Sequence, residues 1–274
     1  MKSLTFTRQS DSLYDQQIVD ISWLEFTFSL SLVAMTLLLS AFLKLQIEKS
    51  LFVASVRAAL QLLAVGLFFT AIFDHGFAEL WSWLWVTFMV LIATSITRRR
   101  VPTVKGLSPV AFIAITSAVV MVDSIVFLLT IIEYTPINIV VISGITIGNI
   151  VPSTVLAVQQ LNLQLTSRRL EAESLLALGA DKQILTKFLA PEIIKTALTT
   201  QIERTKVVGL IALPGAMTGL LLAGTEPMDA VLIQLIVMYM ILGSATVTVC
   251  IIVWFGLRLS LTKDLRLISQ SDVI

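Results

Sequence analysis

Long hydrophobic runs alternate with short polar segments along almost the whole chain. Seven runs are long enough to form membrane-spanning helices, because a hydrocarbon core of about 30 Å takes roughly 17 to 25 helical residues. The predicted spans are residues 21–43, 51–73, 80–96, 110–132, 137–158, 207–223 and 230–257. The pattern therefore predicts an all-α polytopic membrane protein with about seven transmembrane helices.

One polar stretch, residues 161–201, interrupts this pattern. Apolar residues recur at helical spacing on both sides of Gly179, among them Leu176 before it and Phe188 after it. A glycine there supplies the left-handed turn that ends a helix, and Pro191 limits how far the second helix runs undisturbed. We predict two short amphipathic helices hinged at Gly179, forming a helix-turn-helix outside the membrane.

Lysine and arginine are concentrated in loops that lie on one side of the predicted spans, whereas the opposite loops carry acidic residues such as Glu133 and Asp229. Short basic loops are retained in the cytoplasm. We therefore predict a multi-pass inner-membrane protein with its N-terminus outside and its C-terminus in the cytoplasm. The predicted domains are an extracytoplasmic tail (1–20), spans one to five (21–158), a cytoplasmic polar segment (159–206), spans six and seven (207–257) and a cytoplasmic tail (258–274).

The composition excludes several classes of protein. Hydrophobic residues make up 57% of the chain and charged residues only 14%, which is too little polar surface for a soluble globule. One cysteine and one histidine exclude a multi-cysteine zinc site and leave little material for acid–base catalysis. No phosphate-binding G-x-x-x-x-G-K-[ST] motif is present. We therefore expect neither an enzyme, nor a cofactor, nor a nucleic-acid partner. If the chain pumps a solute, the energy must come from another protein.

Polar residues within the spans are the first candidates for a substrate path, because they are costly in hydrocarbon. Asp123 lies near the middle of span four with no basic residue in that span, so it is protonated, paired with another span, or lines a cation path. Arg57 and Gln61 share a face of span two, although Arg57 is close enough to the end to reach the headgroups. Asn149 begins a polar edge on span five.

Span six carries a second group of candidates. Pro214 cannot donate a helical hydrogen bond and Gly215 follows it, so the helix is expected to kink or unwind there. Met217 and Thr218 beside this break offer a sulfur and a hydroxyl, which suit a soft metal cation or simply pack between helices. The predicted substrate path consists of Arg57, Gln61, Asp123, Asn149, Pro214, Met217 and Thr218.

Four segments carry a resemblance to a known family. They are SVRAALQLLAVG from Ser55, GITIGNIVPSTVLA from Gly144, ESLLALGA from Glu173 and VVGLIALPGAMTGLLLAGTEPMDAVLIQ from Val207. ESLLALG, followed by LAP at Pro191, resembles the EAA loop of bacterial ABC-transporter permeases. All four segments, in this order, resemble the FetB/YbbM family of iron-export permeases.

The resemblance implies a permease subunit that works as a homodimer in membrane lipid with two copies of a cytoplasmic ABC ATPase. ATP and Mg²⁺ would bind in that partner, and the exported substrate would be iron or another metal ion. The residues implied to couple the permease to the ATPase are Glu171, Glu173, Leu176, Gly179, Leu185 and Phe188.

Two other functions remain open. An ion-coupled secondary transporter could use Asp123 as its carboxylate and would need no ATPase. A membrane scaffold that transports nothing is the other, and it predicts that Asp123→Asn and Met217→Ala change no flux. Separately, the two polar helices could lie on the membrane surface as an interfacial connection.

Overall fold

The computed structural model describes residues 23–72, 77–100 and 106–260, and most of these residues are helical. The helices are α1 (Trp23–Phe42), α2 (Glu48–Ile72), α3 (Ala78–Arg100), α4 (Leu107–Leu128), α5 (Pro136–Ser167), α6 (Arg169–Ala177), α7 (Lys182–Val207), α8 (Gly215–Leu222) and α9 (Pro227–Leu259). The all-α prediction is confirmed. The predicted tail 1–20 and residues 261–274 of the other tail lie outside the described residues.

Within the described ranges, five helices are long and apolar enough to cross a membrane: α2, α3, α4, α5 and α9. Helix α1 contributes a shorter apolar stretch, Thr27–Phe42. The chain therefore has the helices of a multi-pass membrane protein. The count of seven spans is not confirmed.

The segment predicted as span six, residues 207–223, is not a single helix. Helix α7 ends at Val207, a non-helical connection follows, and α8 has only 8 residues. Eight residues rise about 12 Å, less than half of a hydrocarbon core. The break predicted at Pro214 is present but begins earlier, because Gly209 adopts a φ of 89° and its N–H donates to Ala212 across a tight turn.

The chain divides into two compact units. The smaller one contains the α1–α2 hairpin. Its connection places Lys44 and Gln46 at positive φ, and the hydroxyl of Ser40 donates to the carboxylate of Glu48 at 2.9 Å, so the start of α2 is tied to the end of α1. The larger unit contains α3 to α7 and α9, and α8 is divided between the two units.

Helix α5 lies at the centre of the larger unit, where α4 and α7 pack against it. Its core side chains are fully buried aliphatic residues from α4, α5, α7 and α9, among them Ile115, Ile150, Leu161, Ile193 and Ile252. Helix α5 has 32 residues and is therefore about 48 Å long. This is longer than a hydrocarbon core of about 30 Å.

The second helix of the predicted polar pair is not short. Helix α7 has 26 residues and continues through Pro191. Pro191 lies on the exposed side of α7, where water can bond the carbonyl group that proline leaves without a donor. The opposite side of α7 is buried against α5, so tertiary packing outweighs the local cost of the proline.

Candidate functional site

Helix α6, the turn at Gly179 and the start of α7 form a segment hereafter called the elbow (residues 168–188). The turn has a defined backbone geometry. Gly179 adopts a φ of 90°, as the sequence predicted. The N–H of Gly179 donates to the carbonyl oxygen of Leu176, and the N–H of Ala180 donates to that of Leu175, both at 3.0 Å. This pair of hydrogen bonds defines a Schellman motif at the end of α6. The carboxylate of Asp181 then accepts from the N–H groups of Gln183 and Ile184 and caps α7.

Charged side chains fix the outer surface of the elbow. Arg168 donates to Glu171 at 2.6 and 2.9 Å, and Arg169 donates to Glu173 at 2.7 Å. The guanidinium of Arg168 also lies 4.2 Å from the ring centre of Phe188 on α7. Individually such exposed pairs add little stability, but here one arginine joins the first turn of α6 to α7.

The apolar residues of the elbow point in two directions. Leu185 is fully buried and Leu176 packs against the same core, so these two predicted coupling residues hold the elbow to the larger unit. Leu170 and Leu178 are 80% and 86% exposed, and Ile184 is 51% exposed. The sequence analysis did not include these three residues among the coupling residues, although apolar residues at helical spacing among charges were visible there. All three lie on the elbow, which also carries the two ion pairs.

Asp123 is buried in the larger unit and bonded to α5. The hydroxyl of Ser143 donates to its Oδ2 at 2.8 Å, and only 4% of the residue is exposed. Among the described residues, its Oδ1 has no hydrogen-bond partner and no ion pair reaches it. Of the three predicted possibilities, the structure shows a partner on another helix, but that partner is a neutral hydroxyl.

Asn149, on α5, is bonded to two residues near the end of α7. The side-chain amide of Gln201 donates to its backbone oxygen at 3.0 Å, and Arg204 donates to its Oδ1 at 2.9 Å. Gln201 is buried, so this bond satisfies an amide in the packed interface. The sequence analysis missed Gln201 and Arg204, because it assigned them to the cytoplasmic segment 159–206 and could not pair residues more than fifty positions apart.

The remaining predicted path residues are distributed over both units. Arg57 and Gln61 line one open groove of about 420 Å³ on α2 of the smaller unit, together with five apolar residues. The two side chains therefore lie on the same face of α2. Pro214 and Met217 belong to the larger unit and are partly buried, whereas Thr218 belongs to the smaller unit and is exposed.

The side chains available to a metal ion are sparse. Among the described residues, no group of three or more histidine, cysteine, aspartate or glutamate side chains could hold a metal ion. Cys250, on α9, is a free thiol and partly buried.

Comparison with known proteins gives one family. The model of the uncharacterised protein family UPF0014 matches residues 23–260. The rice UPF0014 membrane protein STAR2 is 35% identical over 80% of this chain and 76% of its own length. The Bacillus subtilis UPF0014 membrane protein YjkA is 30% identical over 85% of this chain and 92% of its length.

A third relative has a more specific name. The Escherichia coli protein "Probable iron export permease protein FetB" is 30% identical over 84% of this chain and 88% of its length. No solved structure matches the chain.

Proposed function

The chain belongs to the uncharacterised protein family UPF0014. Because its ESLLALG segment also resembles the EAA loop of ABC-transporter permeases, we propose that it is the permease subunit of an ABC transporter. In this proposal a separate cytoplasmic ATPase supplies the energy, and the substrate is iron or another metal ion that is exported. The name of the Escherichia coli relative supports the direction and the metal. ATP and Mg²⁺ bind in the partner.

The observation that carries the proposal is the exposed apolar surface of the elbow. Leu170, Leu178 and Ile184 are exposed on the elbow, which also carries two ion pairs and a turn that is fixed by Gly179 and Asp181. A soluble partner fits such a surface, because apolar contacts supply affinity and a charged rim supplies orientation.

The connection of the elbow to the helices explains how movement would be transmitted. The elbow is continuous with α7, which packs against α5 and is bonded to Asn149 through Gln201 and Arg204. A push on the elbow would therefore displace α7 as a rigid body along α5. Small shifts of packed helices are a common means of switching access between two faces of a membrane.

The orientation that we propose places the elbow in the cytoplasm. Helix α3 ends with Arg98, Arg99 and Arg100, and Arg258 lies in the last turn of α9. Both helices are therefore basic at their C-terminal ends. Basic ends face the cytoplasm in short-loop membrane proteins. Two copies of the chain would serve the two ATPase subunits whose closure ATP drives.

Co-purification tests this function. We expect an ATPase chain to co-purify with the wild-type protein from its native membrane and to be lost from Leu178→Asp, because the new charge lies in the apolar surface. Ser167→Asp is the matched control: it adds the same charge at an exposed position just before α6 and should retain the partner. Equal recovery of ATPase with both variants, or none with the wild type, would contradict the proposal.

A second function is supported by Asp123. Its carboxyl group is buried, and its Oδ1 has no hydrogen-bond partner in the part of the chain that the structure describes, which suits a proton-carrying or ion-carrying residue of a secondary transporter. This candidate needs no ATPase. It differs from the first because Asp123→Asn, which retains a bond to Ser143 but cannot titrate, would abolish flux.

A further inference from the structure

From Glu192 to Lys206, α7 carries one polar stripe, hereafter the α7 stripe. Its members are exposed and follow one another at spacings of three and four residues: Glu192, Lys195, Thr199, Glu203 and Lys206. The opposite side of the same turns, including Ile193, Ala197 and Gln201, is buried. The helix is therefore amphipathic, with its apolar side against protein and its charged side outward. A helix that faces lipid would instead have an apolar outer side.

The depth of the stripe follows from contacts within the larger unit. Trp83 donates to the hydroxyl of Tyr134 at 3.3 Å, and Ser82 donates to the backbone of Pro136 at 3.0 Å, so the start of α3 lies beside the start of α5. Tryptophan and tyrosine typically mark a membrane boundary. We call this the aromatic end, and the end of α3 that carries Arg98–Arg100 the basic end.

Asn149 lies about 20 Å along α5 from Pro136, at about 1.5 Å per residue. This places it within a hydrocarbon core of about 30 Å, roughly 10 Å from the basic end. Gln201 and Arg204 are bonded to Asn149 and share its depth. The turn that carries Glu203 and Lys206 thus lies inside the membrane, although its sequence is that of a soluble helix.

Lipid cannot cover this surface at low cost. Glu203 and Lys206 bond to one another at 2.8 Å, but their side chains are 59% and 63% exposed. Charged groups within a membrane generally face protein or water. If two copies related by an axis along the membrane normal packed these stripes together, each residue would meet its equal at the same depth, and Glu203 would face Glu203. Like charges disfavour that contact, so water is the better neighbour.

We infer that the α7 stripe lines a water-filled cavity that opens at the basic end, reaches Lys206 at its deep end, and admits a small hydrated ion. The inference rests on the proposed permease function for the identity of the cavity as the substrate path. The stripe alternates in sign, so it attracts neither cations nor anions over its whole length. It carries no aromatic side chain that would bind an organic ring. A solute would therefore move through it with its hydration shell.

Accessibility to a charged thiol reagent tests the cavity. The single cysteine is first removed as Cys250→Ser, and Glu203→Cys and Lys206→Cys are then made in the full chain in its native membrane. Ile113→Cys is the control: Ile113 lies on α4 about 9 Å from its start beside the basic end and is 56% exposed, but its neighbours are apolar. A membrane-impermeant cationic methanethiosulfonate should react at least tenfold faster at positions 203 and 206 than at 113.

Several results would overturn the inference. Failure of the reagent to reach positions 203 and 206 would exclude the cavity, and disulfide formation between two copies at Glu203→Cys without reagent access would make the stripe an interface instead. If Glu203→Cys and Lys206→Cys do not fold because each removes a charge, Thr199→Cys tests the same stripe without removing one. Reaction without any change in substrate flux would show that the cavity is not the path. Co-purification of the ATPase tests the permease proposal, whereas the rate of thiol reaction tests the cavity. The two are measured separately, so failure of one proposal can be distinguished from failure of the other.

Discussion

The guanidinium of Arg204 donates a hydrogen bond of 2.9 Å to the side-chain oxygen of Asn149, which joins the end of α7 to the middle of α5. Because the elbow begins α7 and this bond lies near its other end, the bond is where movement of the elbow would reach the membrane interior. Its strength can be measured by a double-mutant cycle. We expect Asn149→Ala and Arg204→Ala to show a coupling energy of about 0.5–1.5 kcal/mol in thermal or chemical unfolding.

A coupling energy of zero would mean that the bond does not contribute to holding α7 on α5. Lys195→Ala serves as the control for Arg204→Ala, because it also removes an exposed positive charge from α7. Its effect should add to that of Asn149→Ala without coupling.

The backbone at Gly179 makes a separate prediction. A methyl group there would meet no atom within 4 Å, so the cost of Gly179→Ala arises from the positive φ alone. We expect a loss of about 1–2 kcal/mol, and a smaller loss for Gly179→Asn, because asparagine tolerates this conformation better. Gly148→Ala is the control, since Gly148 is also open in space but lies inside helix α5. Equal melting shifts at the two glycines would contradict the explanation.

The sequence predicted the hinge at Gly179 because glycine at a helix end has a local cause. It also predicted a break at Pro214, although the non-helical connection begins earlier, after Val207. It was wrong about the length of α7, because packing against α5 carries the helix through Pro191 and that packing is not local. For the same reason the pairing of Asp123 with Ser143 could not be read from the chain.

The approach of α9 to α5 depends on Gly256. A methyl group at Gly256 would lie 2.9 Å from Cδ1 of Leu161, a fully buried residue. We expect Gly256→Ala to destabilise the protein by about 1–3 kcal/mol, because the core must shift to accept it. Gly243→Ala on the same helix meets no atom within 4 Å and should be close to neutral.

Adding Leu161→Ala to Gly256→Ala should make the two losses less than additive, since the smaller residue creates the space that the methyl group needs. Strict additivity in thermal unfolding would show that Leu161 is not the obstacle.

Asp123 separates the two candidate functions. Asp123→Asn retains an acceptor for Ser143 and removes the capacity to carry a proton. If the ATPase drives transport, flux of the variant in vesicles should stay within about twofold of the wild type. Loss of flux from a folded, ATPase-bound variant would instead favour the secondary transporter.

Ser143→Ala gives the structural half of that comparison. It removes the hydroxyl that bonds Asp123 and leaves a buried carboxyl group without this partner, so the expected loss of stability is about 1–3 kcal/mol. An unchanged melting temperature would mean that the hydrogen bond contributes nothing to the fold.

The central claim is that energy enters through the elbow from a partner ATPase. The most direct measurement is metal-ion flux in sealed vesicles containing the permease and its ATPase, with ATP or a proton gradient supplied separately. The account predicts flux that requires ATP and both chains, that is lost with Leu178→Asp, and that persists when the proton gradient is collapsed. Flux by the permease alone, without ATP and dependent on the gradient, would contradict it.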